Sequence, residues 1–187
     1  MSGMRSRTKI IDATIELIAH QGFAAASIAA VAKSAGVSRQ TVYSIFGSRE
    51  DLVSQSLAEL ATTLMSEVHT RLDGITDLTD YLIEFLVAGR SMSTNHPVLS
   101  TLMSAQDFHP FFDDGAMERT RAVVTEFLRP MTARQPQYEP YVEQIVDMVS
   151  LLGLSLVVVD DTARTDDEMR EFLEMWLRPA ITALDVG

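Results

Sequence analysis

Residues Ser27–Leu52 read SIAAVAKSAGVSRQTVYSIFGSREDL, and this stretch decides the fold. Ser27 and Ser38 each stand directly before a short segment of helical periodicity, where a serine hydroxyl accepts a hydrogen bond from the free N–H groups of a helix start. Gly36 lies between the two segments, and glycine tolerates the left-handed backbone that joins two steeply crossing helices. The stretch therefore predicts a helix-turn-helix whose second helix ends near Phe46.

The second helix of this motif carries polar side chains on its outward positions. Val37 and Val42 are expected to face inward, which leaves outside Arg39, Gln40, Thr41, Tyr43 and Ser44. Arginine and glutamine form paired hydrogen bonds with base edges in the major groove of DNA, and hydroxyl groups reach phosphates. The motif therefore predicts DNA binding, although the same geometry also occurs as a plain packing unit.

The balance of basic and acidic residues changes at the end of this motif. The whole sequence has 15 Lys and Arg against 26 Asp and Glu, a formal net charge of −11 that disfavours binding to phosphates. Residues 1–49, however, hold six basic and two acidic side chains. This asymmetry predicts a small anion-binding head on an acidic body.

Apolar residues recur at helical spacing along the rest of the chain, and no long stretch alternates as a strand would. We predict an all-α protein of about nine helices, with a three-helix helix-turn-helix domain at residues 1–47 and a larger helical domain at 48–187. Pro130 is expected to end the seventh helix, because proline lacks the N–H that continues one. Thr165–Glu168 is a capping box and is expected to begin the last helix.

The composition excludes several kinds of chemistry. The sequence has no cysteine, which removes disulfides, thiolate zinc sites, iron–sulfur clusters and thiol nucleophiles. It also has no glycine-rich phosphate loop, no GxSxG elbow and no metal-ligand spacing of histidines and carboxylates. The longest apolar run, Leu151–Val159, is shorter than the roughly 18 residues that cross a bilayer. We therefore expect a cytoplasmic protein that is not an enzyme and has no cofactor, metal or membrane partner.

The motif and its flanks resemble the N-terminal domain of the TetR family of transcriptional regulators. The resemblance covers about residues 8–54 and rests on Gly22-Phe23, Ala35-Gly36-Val37-Ser38, Thr41-Val42-Tyr43, Phe46 and Ser48-Arg49-Glu50-Asp51-Leu52. It implies a homodimer that binds a near-palindromic double-stranded DNA operator. It also implies that a small-molecule effector, expected to be lipophilic, releases the protein from this operator, with repression as the expected sign.

The resemblance assigns roles to single residues of this chain. Ser27 would contact phosphate from the start of the second helix, Tyr43 would do so from the third, and Arg49 would present its charge to the DNA backbone from the fourth. The other residues that would face DNA are Ser38, Arg39, Gln40, Thr41 and Ser44. Ala29 departs from the family pattern, which often has a basic or polar residue there, so the second helix should add few side-chain contacts.

The larger domain is rich in methionine and phenylalanine, which suit an apolar pocket between helices. The resemblance implies an effector pocket there, although any single one of these residues can simply fill the core. Arg90 would meet either an anionic ligand or a carboxylate of the same domain. The predicted pocket residues are Met65, Phe85, Arg90, Met103, Phe108, His109, Met117, Phe127 and Met148.

The eighth helix has two adjacent apolar stripes, of which one can serve the core and the other needs a partner. Unless both are covered within one chain, the last two helices of two copies form a four-helix interface. The predicted interface residues are Leu152, Leu156, Phe172 and Trp176.

The residues alone leave a second class of function open. The chain would then be a helical small-molecule-binding protein or enzyme in which the helix-turn-helix is only a packing unit. Specific retention of DNA would decide against this alternative.

Overall fold

The computed structural model describes residues 2–104, 115–158 and 164–186, which form nine α-helices and three short 3-10 turns and contain no strand. The all-α prediction is thereby confirmed. The helices are α1 (Ser2–Gln21), α2 (Ile28–Ala35), α3 (Arg39–Phe46), α4 (Arg49–Leu72), α5 (Leu78–Asn95), α6 (Pro97–Ser104), α7 (Ala116–Arg134), α8 (Val142–Val158) and α9 (Asp166–Thr182). The 3-10 turns are Phe23–Ala25, Pro136–Tyr141 and Ala183–Val186.

The described residues pack into two compact units, and α4 contributes to both. The first unit takes those of Met1–Ser66 and His96–Ser104, and the second takes those of Glu67–Asn95 and Ala105–Gly187. The first unit therefore holds the helix-turn-helix together with the first part of α4 and with α6. The functional division between residues 47 and 48 stays a prediction.

The core of the first unit lies where α1 packs against α2 and α6, and where α2 packs against α3. The Thr101 hydroxyl of α6 also donates a hydrogen bond to the Ala19 carbonyl of α1 over 3.2 Å. Burial of each large apolar side chain contributes roughly 1.5–3 kcal/mol to the free energy of unfolding. The buried apolar side chains of this unit include Ile10, Ile18, Val31, Val42, Phe46 and Leu52.

The second unit is built around α5, which packs against both α8 and α9, while α7 packs against α8. Leu82 and Leu86 of α5 are buried in this core. Tyr81 of α5 donates its hydroxyl hydrogen to the Phe127 carbonyl of α7 over 2.6 Å, and burial raises the pKa of this tyrosine. The buried hydroxyl is therefore satisfied by a partner on the neighbouring helix.

An ion-pair network ties α5 to the start of α9 and the end of α4. Glu84 of α5 accepts hydrogen bonds from Arg71 of α4 and, over 2.8 Å, from Arg170 of α9. Burial acts to raise the pKa of Glu84, but the hydrogen bonds from Arg170 and Arg71 outweigh it and hold the pKa below its ordinary value. Arg71 also pairs with Asp166 at 3.3 Å.

The predicted start of α9 agrees with the structure, and the predicted end of α7 does not. The Thr165 hydroxyl accepts a hydrogen bond from the Glu168 N–H, and the Glu168 carboxylate accepts one from the Thr165 N–H, so the predicted capping box of α9 is confirmed. The predicted end of α7 at Pro130 is wrong, because α7 continues to Arg134. Pro130 has no N–H to donate to the Glu126 carbonyl one turn earlier. Both residues are exposed, so water can replace the missing hydrogen bond.

One segment of the described chain, Pro136–Val157, is long and apolar enough to cross a membrane by length and composition alone. The sequence prediction, which rested on the shorter run at Leu151, overlooked it. The segment carries Glu139, Glu143 and Asp147, all exposed, which a bilayer core disfavours. Only 22% of the tested window is buried inside the chain. Most of this window is therefore not buried by the described residues.

Candidate nucleic-acid interface

The turn of the motif has the backbone geometry that its glycine predicts. Gly36 ends α2 with φ +67° and ψ +35°. The Val37 N–H reaches back to the Ala32 carbonyl over 2.9 Å, as in a Schellman helix end. Apart from Gly36 itself and its chain neighbours, no described atom lies within 4 Å of the place that a Cβ on Gly36 would occupy, so glycine is needed here for its φ and not for space.

Ser27 and Ser38 are the N-caps of α2 and α3, as predicted. The Ser27 hydroxyl oxygen accepts a hydrogen bond from the Ala30 N–H over 3.2 Å, and that of Ser38 accepts one from the Thr41 N–H over 3.1 Å. Both serines are exposed. Helix starts carry unpaired N–H groups and partial positive charge, which favours phosphate groups.

One face of α3 is exposed and the opposite face is buried. Val42 and Phe46 point into the core of the first unit. The exposed side chains follow one another at i, i+1, i+4 and i+5, which places them on one side of the helix, and they are Arg39, Gln40, Tyr43 and Ser44. Tyr43 is 54% exposed, more than a packed aromatic side chain would be. These four predicted DNA-facing residues are therefore brought together on one surface.

Thr41 is less available than the sequence predicts. Its side chain is half-buried, and its hydroxyl lies 2.8 Å from that of Ser38. The two hydroxyls hold the first turn of α3 together, and contact of either one with DNA stays a prediction.

Basic side chains without an ion partner surround the turn. Lys33 lies in the last turn of α2 and Arg39 in the first turn of α3, and neither is paired with a carboxylate of the described residues. Arg7, in contrast, pairs with Glu59 of α4, and its guanidinium lies 5.9 Å from the centre of the Phe46 ring. The unpaired charges therefore lie beside the exposed face of α3, while Arg7 serves the packing of the unit.

The Arg49 guanidinium donates hydrogen bonds to backbone carbonyls of its own chain, which the sequence does not indicate. Its Nε donates a hydrogen bond to the Ala26 carbonyl over 3.1 Å, and its Nη2 donates one to the Phe23 carbonyl. Both carbonyls belong to the connection between α1 and α2. The predicted contact of Arg49 with the DNA backbone stays a prediction.

The predicted pocket residues of the second unit are partly brought together. The rings of Phe85 and Phe127 lie 5.0 Å apart, and the ring of His69 stacks on Phe127 at 4.2 Å. Sequence reasoning missed His69 as a pocket candidate, because its position near the end of α4 gives no signal of a stacking partner on α7. Met117 and Met148 are half-buried in the same unit.

The remaining pocket candidates cannot be grouped with these. Met65 belongs to the first unit. Phe108 and His109 lie outside the described residues, as does the side chain of Met103.

Arg90 is 6% exposed, and its charge has partners within the second unit. Its Nη2 donates a hydrogen bond to the Arg164 carbonyl over 2.9 Å, and its Nη1 lies 3.8 Å from a carboxylate oxygen of Asp166. Of the two roles that the sequence leaves open, the ion pair with a carboxylate of the same domain is present.

A groove of about 650 Å³ lies in the second unit between α9 and the connection from α4 to α5. None of the predicted pocket residues lines it. Its walls carry charges that are already paired: Arg170 with Glu84, and Arg178 with Asp77 and Asp80. Most of the side chains that line the groove are therefore charged or polar, with Ile75 and Ile83 as the apolar ones.

Large apolar side chains are exposed on α8 and α9. The most exposed are Leu151 (60%), Phe172 (40%), Met175 (67%) and Trp176 (64%). Leu152 and Leu156, two of the predicted interface residues, are half-buried, and Leu151 of the neighbouring stripe is more exposed. The interface role of Leu152, Leu156, Phe172 and Trp176 stays a prediction. Grouped apolar side chains at a surface are typical of a protein–protein interface.

Known proteins share this motif and this fold. Residues 10–55 match the family described as bacterial regulatory proteins, tetR family. The HTH-type transcriptional regulator AlkX of Mycobacterium tuberculosis H37Rv is 33% identical over 101 residues, which cover 52% of this chain and about half, 47%, of that relative. The HTH-type transcriptional regulator UidR of Escherichia coli K12 is 24% identical over 164 residues, which cover 86% of this chain and 83% of UidR. The crystal structure of the TetR family repressor AlkX from Dietzia sp., implicated in biodegradation of n-alkanes, matches with a TM-score of 0.60 and 21% identity over 95% of each chain.

Proposed function

We propose that this chain, which belongs to the TetR family of bacterial regulatory proteins, is a homodimeric transcriptional repressor. It binds a near-palindromic operator through α3 and leaves the operator when a small lipophilic molecule occupies the second unit.

The exposed face of α3 carries this proposal. Arg39 and Gln40 stand in the first turn of a helix whose start is held by Ser38, and recognition helices read bases with their N-terminal residues. An α-helix with its side chains is about 10–12 Å wide, which fits a major groove of about 12 Å. Arg39 is suited to the paired acceptors of guanine, and Gln40 to the acceptor and donor of adenine.

Phosphate contacts would flank this reading surface. Ser27 lies at the start of α2, and Tyr43 presents its hydroxyl from the exposed side of α3. Lys33 adds an unpaired charge next to the turn. Such contacts fix the position of a protein on DNA but carry no sequence information themselves, so base preference is assigned to Arg39 and Gln40.

Dimerisation would explain the exposed apolar surface of α8 and α9 and would require an operator with two related half-sites. A second copy would cover the exposed side chains of α8 and α9, among them Leu151 and Trp176. Two copies related by a two-fold axis then present two α3 helices to half-sites about 34–36 Å apart.

The effector is proposed to be neutral and lipophilic. The stacked rings of Phe85, Phe127 and His69 provide apolar surface in the second unit, and Met117 and Met148 stand half-buried there. Arg90, the one buried arginine among the described residues, lies 3.8 Å from the Asp166 carboxylate, which compensates its charge. Because α4 contributes to both units, a change in the second unit can shift the population of DNA-binding arrangements of the first.

The test is selection of DNA from a randomised duplex pool by the purified wild-type protein. We expect enrichment of a site with two related half-sites, release of the selected duplex by 1-dodecanol, and weaker release by dodecanoate. Arg39→Ala should weaken the enrichment, whereas Arg129→Ala, a change of an exposed arginine on α7, should not. Failure of the wild-type protein to enrich any sequence would contradict the proposal and favour the helix-turn-helix as a packing unit.

A further inference from the structure

We infer that Arg49 is a positioning residue that fixes the connection between α1 and α2 against the start of α4, and so sets the place of Ser27 on DNA. The inference rests on the proposed DNA binding. It assigns Arg49 a role different from the phosphate contact that the sequence resemblance implies.

The geometry of the guanidinium is the first observation. Nε and Nη2 lie on one edge of a rigid plane, and here the two atoms donate to two different carbonyls, those of Ala26 and Phe23. These residues precede Arg49 by 23 and 26 positions in the chain. One side chain therefore ties the first residue of α4 to two points of a distant connection.

The weakness of that connection is the second observation. The 3-10 turn Phe23–Ala25 has no buried residue and no side-chain cap. The backbone hydrogen bonds of this connection are 3.1 Å from the Ala25 N–H to the Gly22 carbonyl, 3.3 Å from the Ala26 N–H to the Phe23 carbonyl and 2.8 Å from the Ser27 N–H to the Ala25 carbonyl. All three are local, so the two hydrogen bonds from Arg49 add fixed points from a distant part of the chain.

The two hydrogen bonds from Arg49, called the Arg49 clamp from here on, hold a connection that leads directly into Ser27. Ala26 is fully buried and is followed directly by Ser27, whose hydroxyl caps α2 by accepting a hydrogen bond from the Ala30 N–H. The clamped carbonyl of Ala26 is thus one residue from the proposed phosphate contact. A shift in the start of α4 would move Arg49, the two carbonyls and Ser27 together.

Substitution of Arg49 by lysine distinguishes a positioning role of its guanidinium from a role of its positive charge. Arg49→Lys keeps the positive charge for a phosphate, but an ammonium group has no rigid pair of donors for the two carbonyls. A clamp therefore predicts that Arg49→Lys weakens binding to the selected duplex about tenfold. The slope of log affinity against log salt should stay as in the wild type, because no phosphate contact of Arg49 is lost.

Ser27→Ala provides the coupling test. If Arg49 acts through Ser27, the double variant Ser27→Ala, Arg49→Lys should bind the duplex about as well as the weaker single variant, because the second change then removes nothing more. A residue that only supports the fold would make the two losses add.

Hydrogen exchange measures the clamp without DNA. Amides in the segment from Gly22 to Ser27 should exchange faster in Arg49→Lys than in the wild type, at a temperature where circular dichroism shows both to be folded. Arg5→Lys is the matched control, because Arg5 is exposed on α1 and has no ion partner among the described residues. It should change neither exchange nor affinity.

The outcomes separate the two proposals. Wild-type protein that selects no duplex overturns the proposed function, whereas wild-type protein that binds while Arg49→Lys binds equally well overturns the clamp. A salt slope that falls by about one in Arg49→Gln, with Arg49→Lys like wild type, would assign Arg49 to the phosphate instead.

Discussion

The hydroxyl of Ser38 lies 2.8 Å from the hydroxyl of Thr41 and accepts a hydrogen bond from the N–H of the same threonine over 3.1 Å. Ser38 and Thr41 therefore make two contacts with each other across the first turn of α3, one between their hydroxyls and one from backbone to side chain. Arg39 and Gln40 stand between them in the chain, so the backbone that carries the proposed base-reading side chains is held at both sides.

Removal of this cap should lower the stability of the protein. Ser38→Ala leaves the Thr41 N–H without its side-chain acceptor, and the expected loss is about 1 kcal/mol in the free energy of unfolding. Ser44→Ala is the control, because Ser44 is exposed on the same helix and has no hydrogen-bond partner among the described residues. Denaturant unfolding followed by circular dichroism checks both. Equal stabilities would show that the cap contributes nothing.

The exposed stripe of α8 and α9 should be a dimer interface. Leu151→Glu or Trp176→Glu should yield monomer or insoluble protein, because each change places an unpaired charge in a buried apolar interface. Val123→Glu, on α7, alters another exposed apolar side chain and should leave the dimer intact. Sedimentation velocity distinguishes the species. A dimer unchanged by both substitutions on α8 and α9 would place the interface elsewhere.

The pocket proposal predicts where added volume is tolerated. Met117 is half-buried, whereas Met131 of the same helix is almost fully buried. Met117→Trp should reduce release of DNA by 1-dodecanol and leave the melting temperature nearly unchanged. Met131→Trp should overpack the core and cost typically about 1–3 kcal/mol. If Met117→Trp lowers the melting temperature as much as Met131→Trp and leaves release by 1-dodecanol unchanged, Met117 belongs to the core.

The arginines around Glu84 predict a pH dependence of stability. Because the pKa of Glu84 is held below its ordinary value of 4.5, its contribution is complete above that value and is lost as the pH falls through the lower, folded-state pKa. The wild type should therefore lose more free energy of unfolding than Glu84→Gln when the pH is lowered from neutral to below 4.5. Glu143→Gln, a change at an exposed position of α8, should behave as the wild type. Parallel curves for all three proteins would contradict the assignment.

The local features of the first unit were predictable because each follows from short-range chemistry. Gly36 and the serine caps act within a few residues, so their spacing indicated α2, the turn and α3. The first turns of α1, which begins at Ser2, carry no apolar stripe that would indicate a helix, and Arg7 pairs there with Glu59 of α4, a partner far along the chain.

The features that the sequence could not indicate depend on partners far along the chain. The acceptors of Arg49 are backbone carbonyls, which every residue has, so no residue type marks them. Which side chains of α8 are exposed depends on the packing of α5 and α7 against it, and the 60% exposure of Leu151 follows from that packing. The partners of Arg90 are likewise distant: Asp166 was one of many carboxylates until the fold placed it 3.8 Å away.

The central claim is that α3 reads bases, and the most direct measurement is affinity for the selected duplex and for a scrambled duplex of equal composition. Arg39→Ala and Gln40→Ala should each lose about 1–3 kcal/mol on the selected duplex and little on the scrambled one, because they remove base contacts. Lys33→Ala, the removal of an unpaired charge beside α3, should weaken both duplexes alike. Equal losses on the two duplexes for Arg39→Ala and Gln40→Ala would contradict base reading by α3.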